Sequence, residues 1–433
     1  MQISMGPGVL MRLVRVAAAA LIVALISLWS ACGDYYRPVA YPLTPAQPNP
    51  SFLHQAVVIT TNGTNSPGAS TTIDVSGDTA ISQATVGIMP VHAALVSSVS
   101  RVFVANILDD TVSVFSPSAP IPVATISLPS GSAPDFVATT ETATVYVANS
   151  GNGTVSAISI SSNAITNTIT VGGSPVSMSE LPNTQKVYVA NAGVGGGAAS
   201  VVSINTVDQT VNPPIAASTT APWISPVSVT SRSDSQRAYV LDQGSGFVSA
   251  IDTSVDVVKG AVSVGVGADY MFYDPTLDRL YVTNPATNTV FVLNASTDAL
   301  TPMTVSVANP ITVTALPDGT RAYIATAVVS GTSPQTVSSS VTVLNTNDLS
   351  VKTIIPLTAV PAICTTKVPS ELSIAAAADS SRVYVANCDA GNTAVIQTSN
   401  DTLVLKIPAP LGAFGPPTPA PPLQKPVLVV AGP

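Results

Sequence analysis

The sequence predicts an all-β protein, a β-propeller of four-stranded antiparallel blades, with eight blades favoured and seven the alternative. Three observations carry this expectation. One stretch recurs, as RVFVANILDDTVSVF (Arg101–Phe115), TVYVANSGNGTVSAI (Thr144–Ile158) and RVYVANCDAGNTAVI (Arg382–Ile396). Its aromatic position, filled by Phe103, Tyr146, Tyr188, Tyr239, Tyr281, Tyr323 and Tyr384, returns at intervals of 43, 42, 51, 42, 42 and 61 residues. A near-fixed period with longer exceptions marks a repeat architecture with loop insertions. The composition agrees: 46% of the 433 residues are apolar and only 9% charged, with Val, Thr, Ser, Ala, Gly and Pro dominant. That is a vocabulary of strands and turns rather than of surface helices.

Residues 1–31 read as a targeting segment. Arg12 and Arg15 precede an apolar run from Val16 to Leu28, with Met5 or Met11 as alternative starts. Such a run is too short to span a bilayer and suits the core of a signal peptide. WSAC (Trp29–Cys32) closes it with small residues before a cysteine. This ending resembles a bacterial lipobox, in which the cysteine becomes the lipidated first residue of the mature chain. Trp29 departs from that pattern, which usually has Leu there. Lipidation of Cys32 is the expectation and ordinary cleavage nearby the alternative. More than one acyl chain, at about 0.8 kcal/mol per buried methylene, makes a durable anchor. Residues 32–52, rich in proline and without periodicity, read as an extended tether. The expected location is therefore the periplasm or cell surface, tied to a bacterial membrane by lipid.

Residues 53–407 hold the repeats. In the unit around Tyr188, SPVSMSEL (Ser174–Leu181), KVYVAN (Lys186–Asn191) and ASVVSIN (Ala199–Asn205) read as three strands, with a fourth within QTVNPPIAA (Gln209–Ala217). Asn, Asp and Gly in the links tolerate tight-turn dihedrals. Pro90, Pro175, Pro226 and Pro310 stand 13 residues before the aromatic, and Pro134 stands 12 before it. Each opens a first strand, where a missing N–H costs the ladder least. A sheet apolar on both faces must stack on copies of itself, and a radial stack leaves only short edges.

The YVAN of Tyr146–Asn149, Tyr188–Asn191 and Tyr384–Asn387, with YVTN at Tyr281–Asn284, resembles the YVTN-type β-propeller repeat family. The resemblance implies the propeller fold and an exported, envelope or surface-layer setting. It implies little about activity, because propellers host unrelated functions. A degenerate copy, AVVITTNG (Ala56–Gly63), lies upstream with Val58 in the aromatic position. Residues 408–433 combine a proline-rich connection with VLVVAG (Val427–Gly432), a strand that could complete the opening blade and close a ring of eight. The alternative is a seven-bladed ring from Pro90 to Ile407 with extra N-terminal strands.

Loops after the second and fourth strands of a blade emerge on one face, and the extra residues fall in them: Ala192–Ala199, the stretch before Pro226, Thr326–Ser340 and Leu357–Glu371. In repeat proteins such a face is often the binding face. It would also hold both Cys364 and Cys388. With Cys32 assigned to lipid, these two remain as an even pair in a compartment that permits a disulfide.

Signals for chemistry are sparse. The net charge of −8 sets nucleic acid aside. Only two histidines exist, and no Cys/His spacing marks a metal site, so neither metal nor cofactor is expected. His92, Asp135, Arg232 and Asp269, with Glu180 further along, lie on or beside first strands and are candidates for an ion or polar ligand in the central channel. A solvated channel lining accounts for the same residues. The function expected is a non-catalytic envelope module binding a protein, glycan or small ligand through its looped face. The alternatives are a lactonase-like hydrolase or lyase with a channel metal, and a structural surface-layer-like component.

Overall fold

The computed structural model describes residues 55–117, 122–139, 143–193, 197–297, 302–332, 335–362, 364, 372–410 and 424–431. The segments read as a signal peptide and a tether, with Cys32, and most of the proline-rich connection fall outside them. Eight antiparallel sheets follow one another in chain order. Blade 1 is assembled from both ends of the chain: Lys425–Ala431 is its inner strand, pairing with Gln55–Thr61, which is followed by Pro67–Asp74 and Thr79–Ile88. Blades 2 to 8 start with inner strands Pro90–Val96, Pro134–Ala138, Pro175–Glu180, Pro226–Ser231, Tyr270–Asp274, Pro310–Ala315 and Leu372–Ala376. Each inner strand lies beside those of both neighbouring blades, and Leu372–Ala376 meets Lys425–Ala431 to complete the circle. The ring is an eight-bladed propeller closed by the C-terminal strand.

The five prolines that open inner strands each coincide with a register shift, as between Pro90 and His92 or Pro226 and Ser228. The missing N–H falls where the ladder is already interrupted. Blade 4 departs from expectation. Its fourth strand is not regular: Ile204 bridges Val211, and the N–H groups of Asn212 and Ile215 reach Ser203 O and Val201 O at 2.8 Å. Pro213 and Pro214, between those two donors, cannot continue the ladder.

The repeated stretch is explained by what its side chains do between blades. The rings of Tyr146, Tyr188, Tyr239, Tyr281, Tyr323 and Tyr384 are fully buried, each contributing roughly 1.5–3 kcal/mol of apolar burial. Three of their hydroxyls reach forward to a carboxylate of the next blade. Tyr188 donates to Asp256 Oδ1 at 2.5 Å, beside Lys186 Nζ on Oδ2 at 2.9 Å. Tyr323 and Arg321 converge on Asp401 Oδ1 at 2.5 and 2.7 Å. Tyr384 and Arg382 hold Asp78 of blade 1, across the seam where the chain ends meet. Every one of these acceptors is the left-handed residue of the next blade's last hairpin turn, at φ 54°, 54° and 50° for Asp256, Asp401 and Asp78. Asp tolerates that conformation better than bulkier side chains do. Burial pushes the Asp401 carboxyl up, but hydrogen bonds from Lys352, Tyr323 and Arg321 outweigh it and hold it below the usual carboxylate range.

The motif asparagine works at the other end of the strand. Asn106 Oδ1 accepts from Gly87 N at 3.1 Å while its Nδ2 donates to Thr111 Oγ1 and Ser113 Oγ, both at 3.0 Å. Asn149 repeats the pattern on Thr154 and Ser156. In blade 5 Asp242 takes this place and accepts from the Ile224 and Ser225 N–H groups.

Not every junction carries the latch: Tyr239 donates instead to a backbone carbonyl, Ala295 O, at 2.7 Å. Between blades 6 and 7 Arg279 still reaches Thr346 O, at 2.6 Å, but the left-handed turn residue is Leu349 at φ 59°, so the buried Tyr281 hydroxyl meets no carboxylate. Leu349→Asp should raise stability by about 1–2 kcal/mol, combining a charged hydrogen bond with relief of the strained leucine. Asp401→Ala should lower it by about 2–3 kcal/mol. Thermal and urea unfolding of both variants would read this, and an unchanged or lower midpoint for Leu349→Asp would count against the latch.

Candidate functional site

Inner strands run from the looped face, where the turns after second and fourth strands gather, to the opposite, tight-turn face. Asp135, second in its strand, and Asp269, just before Tyr270 opens its own, share the looped end of the channel, half-buried; Asp269 Oδ1 accepts from Gln243 Nε2 at 2.9 Å. Arg232 lies past the far end of its strand, about 17 Å further along by strand rise. There it grips Asp278 through Nε at 3.0 Å and Nη2 at 2.5 Å. The bidentate pair holds the guanidinium ionised, its pKa raised first by that hydrogen bond. Glu180 is buried at the same far end, close enough to help burial raise Tyr146 to about 12. The structure therefore brings Asp135 and Asp269 to one end and leaves Arg232 and Glu180 at the other.

His92 lies between them, 1% exposed, stacked on Phe136 with ring centroids 3.9 Å apart. Its Nδ1 accepts the Val137 N–H at 3.1 Å. The same inter-blade bond recurs at matching inner-strand positions: Ser177 Oγ accepts from Val229 N at 3.1 Å, and Ser373 Oγ from Val429 N at 3.2 Å. These N–H groups belong to the axial edge of each inner strand, which no fifth strand covers. The side chains form a collar that satisfies them. With Tyr270 and Thr312, the collar is almost entirely buried, so this level of the channel is a packed layer, not a solvated lining. Among the described residues no three His, Cys, Asp or Glu side chains are grouped to hold a metal.

The looped face carries the larger features. The stretch Thr326–Ser340, expected as a loop, is instead a β-extension. Blade 7's strands Arg321–Ser330, Thr336–Asn345 and Val351–Pro361 run on beyond the ring, paired from Thr326 with Ser340 to Ser330 with Thr336, and from Thr336 to Pro361. The resulting flap leans on blade 8: Ala327, Val337 and Leu357 share a cluster with Leu372 and Val385. Asn387 Nδ2 donates to Ser339 Oγ at 2.8 Å, and Lys406 Nζ donates to Leu357 O. Near its tip Val328 and Val329 remain exposed, at 44% and 41%.

Sequence reasoning missed the flap although TAVV and TVSSSV carry a strand's composition on both sides of Gly331–Pro334. Next to it, Cys364 and Cys388 form the expected disulfide, with Cα atoms 6.1 Å apart. Both sulfurs lie in the apolar cluster of the closing seam with Val57, Val427 and Leu428, and Cys364 N donates to buried Asp389 Oδ1 at 2.7 Å. The proline-rich connection springs from the same sector, its base held by the Gln424 N–H on Pro410 O at 2.8 Å.

Fold and geometry define the class: a single eight-bladed propeller with one elaborated face. No known sequence family and no curated protein matches the chain. Among solved structures it is similar to dihydro-heme d1 dehydrogenase NirN in complex with DHE, at 12% identity over 93% of this chain and 81% of that one, with a TM-score of 0.63. It is similar to hydrazine synthase of Kuenenia stuttgartiensis, at 18% identity over 72% and 96%, with a TM-score of 0.53. It is also similar to a candidate 6-phosphogluconolactonase of Bacteroides fragilis NCTC 9343, at 12% identity over 88% and 99%, with a TM-score of 0.50. At these identities the likeness is one of fold alone.

Two outcomes follow for measurement. Replacing Cys364 and Cys388 together by Ser should cost about 3 kcal/mol of stability, from a bridge between residues 24 apart; a loss confined to a few tenths would mean the seam is held by packing alone. Burial lowers the His92 pKa from 6.5 to about 3. Between those values the unfolded chain binds the proton and the folded one does not, so this contribution is intact above pH 6.5 and drains away as the pH falls toward 3. The stability gap between wild type and His92→Gln should therefore shrink over that window, by up to about 1.4 kcal/mol per pH unit. A gap independent of pH would show that His92 is not held neutral.

Proposed function

We propose that the protein is a non-catalytic cell-envelope propeller of the YVTN-repeat type that binds a protein, glycan or small ligand through its looped face. The observation that carries this reading is the concentration of elaborations in one sector: the flap of blade 7, the disulfide-held connection into blade 8 and the proline-rich link into blade 1. Among the described residues the opposite face is made of short hairpin turns.

Topology supports the same direction of display. Gln55 begins a second strand and Ala431 ends an inner one, so both meet the tight-turn face. A tether running from a lipidated Cys32 would enter there and leave the looped face turned away from the membrane. The exposed valines among Ser and Thr suit an uncharged partner surface.

The test places a photo-crosslinking residue at Val328 on the flap or at Val207, which is 90% exposed on the tight-turn face. Irradiation of the intact envelope should give discrete adducts from Val328 and none from Val207. Equal labelling from both, or none from Val328, would remove the looped face as the binding surface. Metal stoichiometry that disappears in Asp135→Ala and Asp269→Ala variants would instead favour the lactonase-like alternative.

A further inference from the structure

On the tight-turn face a cavity of about 470 Å³ opens between blades 4 and 5, within the roughly 300–1,000 Å³ of small-ligand sites. Three turns enclose it, represented by Asn183 and Gln185 in blade 4, Asp234–Arg237 in blade 5, and Asp252–Ser254 at the end of blade 5's third strand. They are fastened to one another across the blade junction. Asn183 N donates to Ser235 Oγ at 2.9 Å, Thr253 Oγ1 to Ser235 O at 2.6 Å, and Lys186 Nζ to Thr253 O at 2.8 Å. The walls are thus set before any ligand arrives, which lowers the ordering cost of binding.

The chemistry of the lining narrows the ligand. Leu181 is the one apolar residue among those lining the cavity, so an apolar or aromatic ligand finds little to cover it. The charges are matched within the protein: Lys186 with Asp256 at 2.9 Å, Arg232 with Asp234 at 3.4 Å, and Arg237 and Lys259 each with Asp252 at 3.7 Å. An ionic ligand would have to displace one member of such a pair. Asp252 Oδ1 already accepts from Ser254 N and Oγ at 3.0 and 2.7 Å, but the 3.7 Å separations from Oδ2 exceed hydrogen-bond length, so a hydroxyl can donate to Oδ2 while accepting from the cation. Asn183, Gln185 and Gln236 add amides that both donate and accept.

We propose that this groove binds a neutral, hydroxyl-rich ligand, a sugar ring of a mono- or disaccharide, through Asp252, Arg237 and the amides of Asn183 and Gln236. The site is on the face opposite the flap, so crosslinking at Val328 neither supports nor weakens it. Saturation-transfer NMR on the tetherless protein, with glucose, galactose, mannose, N-acetylglucosamine and their disaccharides as probes and phosphoethanolamine as a zwitterionic comparison, tests it.

At least one saccharide should bind, with affinity falling about tenfold or more in Gln236→Ala and in Asp252→Asn. Gln236 is exposed, so its variant keeps the fold even if the Asp252 variant does not. The proposal is overturned if no saccharide shows transfer at about 10 mM. It is overturned equally if binding survives in Gln236→Ala, or if phosphoethanolamine binds in preference.

Discussion

A polar reach from the motif strand of one blade to the last hairpin turn of the next is the constraint on which the ring depends. A blade's two faces are both apolar, and burial against a neighbour holds the sheets together without fixing their angular register, because apolar packing is not directional. The tyrosine supplies the direction. Its ring is part of the core, and the hydroxyls of Tyr188, Tyr323 and Tyr384 find their acceptor at one place, the Asp that a tight hairpin turn tolerates at positive φ. Arg101 makes the same reach in the blade whose aromatic is Phe103, donating to Asn163 Oδ1 at 2.8 Å and Ile160 O at 2.9 Å. Register is thereby set on the tight-turn face, while the motif asparagines pin the looped face.

This division of labour means that the most conspicuous signal in the sequence is structural from end to end. Tyrosine, valine and asparagine of the YVAN stretch are each consumed by latch, core and turn. The seam where the chain ends meet is the weakest by construction, since Lys425–Ala431 is tied to its neighbour by no short loop. It carries three reinforcements: the Arg382 and Tyr384 latch on Asp78, the Thr60 to Gln424 side-chain bond at 2.5 Å, and the disulfide packed over Val427 and Leu428. Burial also lowers the Lys425 pKa, partly opposed by Asp389, so the closing strand brings a desolvated cation into the junction.

Most of the architecture was legible because period, turn chemistry and cysteine parity are local or countable. The Tyr spacing counts blades, VLVVAG has no partner except the opening repeat, and three cysteines leave one pair once Cys32 is set apart. What could not be read depends on neighbours. Pro213 and Pro214 dissolve a fourth strand whose flanks look regular. TAVVSGTSPQTVSSS is a loop by length and a flap only because blade 8 offers Leu372 and Asn387 to receive it. His92, Asp135, Arg232 and Asp269 looked alike as polar residues on or beside first strands. A few positions' difference along the strand sends one to a buried collar, two to the looped mouth and one to an ion pair on the far face.

The burial of the collar bears on where function can reside. A residue at the axis of a propeller reaches solvent only if the inner strands stand far enough apart to leave a water-filled bore. Here Tyr270, Phe136 and His92 close that layer with ring-sized side chains, and Ser177, Thr312 and Ser373 spend their hydroxyls on neighbouring strands. A ligand descending from the looped face meets Asp135 and Asp269 and then a packed floor. One approaching from the other face meets Arg232 already committed to Asp278. The axis therefore serves cohesion, and recognition falls to the surfaces where the chain departs from its repeat: the flap sector on one side, and the polar groove between blades 4 and 5 on the other.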